Sequence, residues 1–211
     1  MLLDIHLEQC DDKGEKLERL ADIGMPFNIS LVPVLMLPEH EVFKNGVYKP
    51  DYFYNKNIMT LLNAIPKDYP HVSFGQQGFT HYCPECYNTW DAKKNKFKQD
   101  PWHENRCLYN KKKSVVDQFE FMNEGKKIIE DFVGVSPIIY SPPNHQYDQN
   151  TKFSALQLNY EYLATKGVIN ISPYKEEGLK ILPERKLGQS GEIFYTHYNE
   201  IGGNLDAYTD I

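Results

Sequence analysis

The strongest constraint on the fold is an alternation of short apolar runs with amphipathic segments along the chain. The apolar runs, which predict strands, lie at 1–3, 27–32, 71–74, 138–140, 162–164, 168–171 and 193–196. The segments with apolar residues at helical spacing lie at 14–23, 56–65, 112–133 and 151–160. Because strands that alternate with helices form parallel sheets, this order predicts an α/β fold.

The number of strand–helix units favours a barrel or an incomplete (β/α) barrel. A doubly wound open sheet is the alternative, although no glycine-rich phosphate loop follows the first strand. The length of 211 residues fits one domain, so we assign 1–211 to a single domain. Residues 36–55 and 82–110 interrupt the alternation, and we expect both to be long polar loops at the rim, where function tends to lie.

Charge and hydropathy argue against two classes of partner. The formal charge is −6, whereas a nucleic-acid surface needs clustered Lys and Arg, so we expect no nucleic-acid binding. No apolar run approaches the ~20 residues of a membrane span. No basic segment followed by an apolar stretch is visible at the N-terminus, which leads us to expect a cytoplasmic protein.

Polar side chains follow the predicted strands at the ends where α/β barrels place their chemistry. These residues are Asp4 and His6, Gln77 and His81, His145, and His197. An Asp and several His residues at one rim permit a mononuclear divalent-metal site with open positions for water.

Four stretches occur in an order that is typical of one family. "LLDIHLEQCDDKGEKLERLADIGMPFNISLVPV" resembles the family's opening, an Asp-bearing strand, a helix and an apolar strand ending in Pro. "QQGFTH" resembles its second motif, His-Gly-(Phe/Tyr)-Thr-His, "IIYSPPNHQYDQNT" its strand and loop with paired prolines, and "FYTHYN" its final His-bearing strand. The family is the polysaccharide deacetylases of the NodB-homology type. These are metal-dependent carbohydrate esterases built on an incomplete (β/α) barrel.

The resemblance implies a hydrolase that removes acetyl groups from an N-acetylated or O-acetylated carbohydrate with the help of a divalent metal, zinc being the first candidate. It implies that Asp4 and His81 are metal ligands and that His197 is the general acid that protonates the leaving group. Gln77 falls on the family's other His ligand, where an amide is a poorer ligand for zinc. His145 or His6 is the candidate replacement for that ligand.

The position that matches the family's general base is occupied by Leu3, which cannot accept a proton. Asp11, Asp12 or Asp148 is the candidate substitute for the base. The alternative interpretation is an impaired family member that binds a glycan or assists a partner enzyme. Losing a general base typically costs ~10²–10⁴ in rate, so we expect weak or absent activity on simple N-acetyl-chitooligosaccharides compared with a complete family member.

The rim insertion at 82–110 carries cysteines at metal-ligand spacing. Cys83-x2-Cys86 is followed by His103-x3-Cys107, a set that predicts a structural zinc site. Incidental thiols in a flexible insertion are the alternative. A redox role is disfavoured because the pair does not open a helix of a thioredoxin-like unit.

Overall fold

Parallel strands close into a barrel in the structure, a computed structural model. It describes residues 2–7, 14–34, 56–83, 86, 89–91, 93–94, 96–99, 104–105, 113–166, 172–186, 189 and 192–202. The parallel strands are β1 (Leu2–Leu7), β2 (Phe27–Leu31), β3 (Val72–Gln76), β6 (Ile139–Tyr140), β7 (Tyr162–Lys166), β9 (Leu179–Lys186) and β10 (Ile193–His197). Their order is β10-β1-β2-β3-β6-β7-β9, and β9 also pairs with β10, which closes the ring.

The remaining elements cover the barrel or extend its rim. Strands β4 (Trp90–Asp91) and β5 (Lys96–Phe97) form a small antiparallel pair, and β8 (Tyr174–Glu176) runs antiparallel to β9. The helices are α1 (Glu15–Asp22), α2 (Lys56–Asp68), α3 (Val115–Val133) and α4 (Gln149–Gln157). Short 3₁₀ turns lie at Pro143–His145 and Tyr198–Glu200. Among the described residues, no helix is long and apolar enough to cross a bilayer.

The predicted α/β barrel is therefore confirmed, with seven parallel strands among the described residues, and the open-sheet alternative is wrong. The first strand runs on to Leu7, so Asp4 and His6 lie within it and do not follow its end. Strand β9 was not predicted. The strand predicted at 168–171 and the loop predicted at 36–55 lie outside the described residues.

Side chains along β1 point alternately to the two faces of the strand, which separates the apolar layer between strands and helices from the polar interior of the barrel. Leu3, Ile5 and Leu7 face outward and pack with the helices in the largest apolar cluster, while Asp4 and His6 face inward because successive side chains of a strand point to opposite faces. The bottom of the interior is filled by a separate apolar cluster, Ile139, Ala164, Leu182 and Ile193. The inner polar side chains lie nearer the carboxyl ends of the strands.

Candidate metal centre and active site

Asp4 is a fully buried carboxylate at the centre of a hydrogen-bonded layer inside the barrel. Asn28 Nδ2 donates to its Oδ1 at 2.7 Å. Ser30 Oγ and Ser141 Oγ donate to its Oδ2 at 2.9 Å and 3.1 Å. Three donors, two from β2 and one from the residue after β6, therefore hold the orientation of this carboxylate.

His6 lies between Asp4 and a second buried carboxylate, Glu184 of β9. Its Nε2 is 3.5 Å from Asp4 Oδ2 and 3.6 Å from Glu184 Oε2. Glu184 Oε2 is in turn 3.2 Å from His145 Nε2. The interior thus concentrates two carboxylates and two imidazoles where water is largely excluded.

The charges of these groups depend on one another. Burial alone would raise the pKa of Asp4, but the hydrogen bond and the positive charge of His6 outweigh it and lower this pKa to about 2. Burial opposes a charge on His6, yet Asp4 and Glu184 together raise its pKa to about 10. Burial and the nearby Asp4 charge raise the pKa of Glu184.

Asp4, His6 and Glu184 form a buried group that could hold a metal ion, since one ligand atom from each lies within 4.8 Å of the others. Bond lengths of 2.0–2.1 Å place two ligands of a tetrahedral zinc ion about 3.4 Å apart, close to the separations of His6 Nε2 from the two carboxylates. Within the described part of the chain, Glu184 Oε1 is buried without a hydrogen bond, and the contacts of His6 Nε2 with the two carboxylates are long, at 3.5 Å and 3.6 Å. Two carboxylates and an imidazole suit a divalent cation, so the residues fit a metal.

A cavity of 280 Å³ opens over this group at the carboxyl ends of the strands. Its walls are His6, Gln77, His81, Pro142, Asn144, His145, Tyr195 and His197. Its size lies at the lower end of small-molecule sites. The ring of Tyr195 stacks on that of His6 with centroids 5.2 Å apart.

The backbone is strained where it borders the cavity. His81, Asn144 and His145 have positive φ angles of 67°, 51° and 52°, a region that L-residues other than glycine adopt at a cost. Such strain clusters at functional sites, where the surrounding structure holds it in place.

His197 also lines the cavity and contacts a carboxylate of its own. Its Nδ1 is 3.3 Å from Glu200 Oε2, and the other oxygen of Glu200 accepts a hydrogen bond from Lys186 Nζ at 2.8 Å. The turn that follows β10 therefore fixes the His197 ring through its Nδ1.

The loop that carries His81 is braced from the rim insertion. Glu104 is fully buried, and its carboxylate accepts hydrogen bonds from Phe79 N and Thr80 N, both at 2.7 Å. Gly78 makes the turn before them with φ +65°, and a Cβ there would lie 2.5 Å from Pro143 Cγ. The glycine of the "QQGFTH" stretch is thus required by backbone conformation and by close packing.

The four ligands expected from the sequence were Asp4, Gln77, His81 and His145, and the structure gathers a different set. Asp4 belongs to the buried group, but the other two members are His6 and Glu184. His145 contacts the group through Glu184. Gln77 Nε2 lies between His6 Nδ1 and His81 Nε2, at 3.0 Å and 3.1 Å, so its amide separates His81 from the cluster.

Leu3 and Asp148, the described positions considered for the general base, do not line the cavity. Leu3 points into the outer core, so a carboxylate at this position would not reach the cavity. Asp148 caps α4, where its side chain accepts from Thr151 N and Gln118 Nε2. Asp11 and Asp12 lie outside the described residues.

Two of the four residues predicted to form the structural zinc site, Cys83 and Cys86, lie within the described residues. Cys83 and Cys86 are buried and pack against each other, and Cys86 Sγ is 3.6 Å from Gln99 Oε1. His103 and Cys107 lie outside the described residues, so the structural zinc site stays a prediction.

Glu184 is the site residue that sequence reasoning missed. Its strand reads "LKILPERK". Pro183 and the three charged residues that follow it interrupt the alternation of apolar and polar residues by which a strand is recognised. The available signal was the apolar residues Leu179, Ile181 and Leu182, which end two positions before Glu184.

No protein-family model matches the chain, and no curated protein matches it by sequence. Among solved structures, the deacetylase domain of BpsB from Bordetella bronchiseptica matches 93% of this chain and 72% of that chain, with 9% identity and a TM-score of 0.52. The Xyl-CE4 domain of a multidomain xylanase from the hindgut metagenome of Trinervitermes trinervoides matches 99% of this chain and 78% of that chain, with 14% identity and a TM-score of 0.49.

The Streptococcus pyogenes deacetylase PplD matches 79% of this chain with 13% identity and a TM-score of 0.48. This chain spans about half of that protein, 55% of its length. At such identities a likeness establishes the fold and leaves the chemistry to the site. The fold of this chain is therefore similar to that of the BpsB deacetylase domain.

Proposed function

We propose that the chain is a metal-dependent hydrolase that removes an acetyl group from a carbohydrate, N-acetylated sugars being the first candidates. The observation that carries this proposal is the buried Asp4–His6–Glu184 group at the floor of a cavity lined by imidazoles. The substrate class comes from the fold and from the sequence motifs, and the cavity suits one sugar ring better than a large ligand.

Asp4, His6 and Glu184 would hold the cation. When bound, a zinc ion supplies Lewis acidity to an acyl carbonyl and to a water molecule. The protein prepares this role by orienting Asp4 through Asn28 and Ser30 and by keeping the three ligand side chains out of bulk water.

Two histidines that line the cavity, each paired with a glutamate, supply the proton transfers. His145, 3.2 Å from Glu184, accepts a proton from the attacking water, and the carboxylate stabilises the imidazolium that forms. His197, held by Glu200, donates a proton to the departing nitrogen or oxygen. This assignment gives the base role to His145 and keeps the acid role of His197.

The walls of the cavity position the sugar. Tyr195, which stacks on His6 and contacts the His145 ring at 5.0 Å between centroids, presents an aromatic surface beside the acyl group. Pro142 and Asn144 from the turn after β6 limit the cavity on the side of His145. The substrate carbonyl is thereby kept close to both imidazoles.

The test is acetate release from N-acetylated oligosaccharides after zinc is restored to metal-free protein. Wild type releases acetate, while His197→Gln and His145→Gln each lower kcat by about 10²–10⁴-fold with little change in KM, because each removes one proton transfer. Glu192→Gln is the matched control, since Glu192 is exposed and does not line the cavity. If the protein binds zinc but releases acetate from none of the acetylated glycans tested, the proposed hydrolase function is wrong and the glycan-binding alternative takes its place.

A further inference from the structure

Two neighbouring polar residues of the rim insertion, Glu104 and Asn105, are almost completely buried. Acidic and amide side chains are mostly exposed in folded proteins, and their burial is costly unless they are hydrogen-bonded. The described partners of both side chains lie on segments that border the cavity. The two residues thus connect the rim insertion to the candidate site.

Glu104 holds the segment at 77–81, which follows β3 and carries His81; we call it the His81 loop. The carboxylate accepts from Phe79 N and Thr80 N, both at 2.7 Å, and Thr80 Oγ1 donates to it at 3.2 Å. Hydrogen bonds to an ionised carboxylate are about twice as strong as those between neutral groups. The two backbone amides directly before His81 are therefore fixed from outside the loop.

Asn105 holds the segment at 141–145, which follows β6 and carries His145; we call it the His145 turn. Asn105 Oδ1 accepts from the hydroxyl of Tyr140 at 3.0 Å. Tyr140 is the last residue of β6 and is fully buried, and its ring packs on that of Tyr160 with centroids 5.5 Å apart. The hydrogen bond therefore fixes the strand end from which the turn begins.

The His81 loop, the His145 turn and the rim insertion meet at Gly78. A Cβ at this position would lie 2.5 Å from Pro143 Cγ and 2.9 Å from Glu104 Oε2. Contacts from three parts of the chain thus converge where the two segments approach each other.

The strained backbone at the cavity lies in these same two segments. Of the described residues that line the cavity, the non-glycine residues with positive φ are His81, Asn144 and His145. Such conformations persist only where the surrounding structure determines them from several sides. Glu104 and Asn105 supply directional contacts of this kind to both segments.

We propose that Glu104 and Asn105 form a clamp that holds the His81 loop and the His145 turn in a fixed relative position. Neither side chain lines the cavity, so both are positioning residues that act through the segments they hold. Their effect on catalysis rests on the proposed hydrolase function, in which His145 is the base. The coupling of the two segments does not depend on that function.

The first measurement is amide hydrogen exchange in variants that each break one side of the clamp. Tyr140→Phe removes the hydroxyl that donates to Asn105, and we expect Phe79 N and Thr80 N, which bond to Glu104, to exchange about 3–10-fold faster. Glu104→Gln should accelerate the amides of the other segment. These are His145 N and Gln146 N, which bond to Pro142 O and Pro143 O. Amides of α1 should exchange as in wild type.

The second measurement is acetate release by the same variants loaded with zinc. We expect kcat to fall about 3–10-fold in Tyr140→Phe and about 10–100-fold in Glu104→Gln, with KM changed less than about twofold, because a displaced imidazole disturbs the transition state more than substrate binding. Tyr69→Phe is the matched control, since its hydroxyl bonds to Asp22 and does not line the cavity. It should retain the exchange rates and the kcat of wild type.

The outcomes separate the clamp from the hydrolase function. If each variant accelerates only the segment that it contacts, or if kcat is unchanged in both while wild type releases acetate, the clamp is wrong and the hydrolase function stands. If wild type releases no acetate, the hydrolase function is wrong and the positioning role falls with it, while the four amides still decide whether the segments are coupled. Tyr140→Phe decides the matter if Glu104→Gln does not fold.

Discussion

His6 Nε2 lies 3.6 Å from Glu184 Oε2, although the two residues come from strands near opposite ends of the chain. Only β10 separates β1 from β9 in the barrel, so closure of the ring brings their inward side chains together. The candidate metal centre is therefore a product of the closed barrel, and no local segment contains it.

Replacement of Glu184 tests this centre directly. We expect Glu184→Gln to weaken Zn²⁺ binding by at least about 100-fold, because even the loss of an outer partner of a ligand costs 10–100-fold. Isothermal titration of metal-free protein measures the effect. Glu192→Gln should bind zinc like wild type. If both variants bind zinc with equal affinity, Glu184 is not a ligand of the metal.

The cysteine pair predicts a second, independent zinc ion. Cys83 and Cys86 are buried side by side, and Cys86→Ala should lower the zinc content of the purified protein by about one ion per chain. Elemental analysis measures the content. Acetate release should persist in any variant that stays folded, and an unchanged zinc content would show that the thiols hold no metal.

Gly78→Ala should destabilise the fold strongly. The left-handed backbone costs an alanine about 1–2 kcal/mol, and the overlap with Pro143 adds about 1–3 kcal/mol. Gly24→Ala is the matched control, since Gly24 has φ +80° but no atom within 4 Å of an added Cβ. Denaturant unfolding should give a larger loss for Gly78→Ala, and equal losses would mean that the turn does not pack as described.

Glu104 should matter for stability although it does not line the cavity. In Glu104→Gln, an NH₂ group replaces one of the oxygens that accept from Phe79 N and Thr80 N, which we expect to cost about 1–3 kcal/mol of unfolding free energy. Glu161→Gln, at an exposed position, should change it by less than about 0.5 kcal/mol. A loss in Glu104→Gln no larger than in this control would mean that the loop holding His81 does not depend on the rim insertion.

The elements that the sequence predicted correctly are those with a local signal. The helix at 112–133 has five apolar residues at helical spacing, and the structure begins it at Val115 after a Ser114 capping box. Strand β2 alternates apolar and polar residues and ends before Pro33, and it was predicted within one residue. Asp4 was singled out by the motif, whereas its predicted place after the end of the strand was wrong, because β1 runs on to Leu7.

The rest of the site depends on long-range pairing that no local pattern contains. Glu184 is brought into the site by the pairing of β9 with β7 and β10, and its own strand contains a proline and charged residues. Gln77 was read as a ligand because a motif aligns residues along the sequence, whereas its side chain lies between two rings. Asp148 resembled a base in the sequence because a capping residue and a catalytic carboxylate are the same residue type.

The central claim is that Asp4, His6 and Glu184 together bind the metal. The most direct measurement is an anomalous difference map, recorded at the zinc edge from crystals soaked with Zn²⁺. We predict a peak inside the barrel about 2.0–2.2 Å from His6 Nε2 and from an oxygen of each carboxylate. A peak coordinated by His81 and His145 instead, or no peak inside the barrel, would contradict the account.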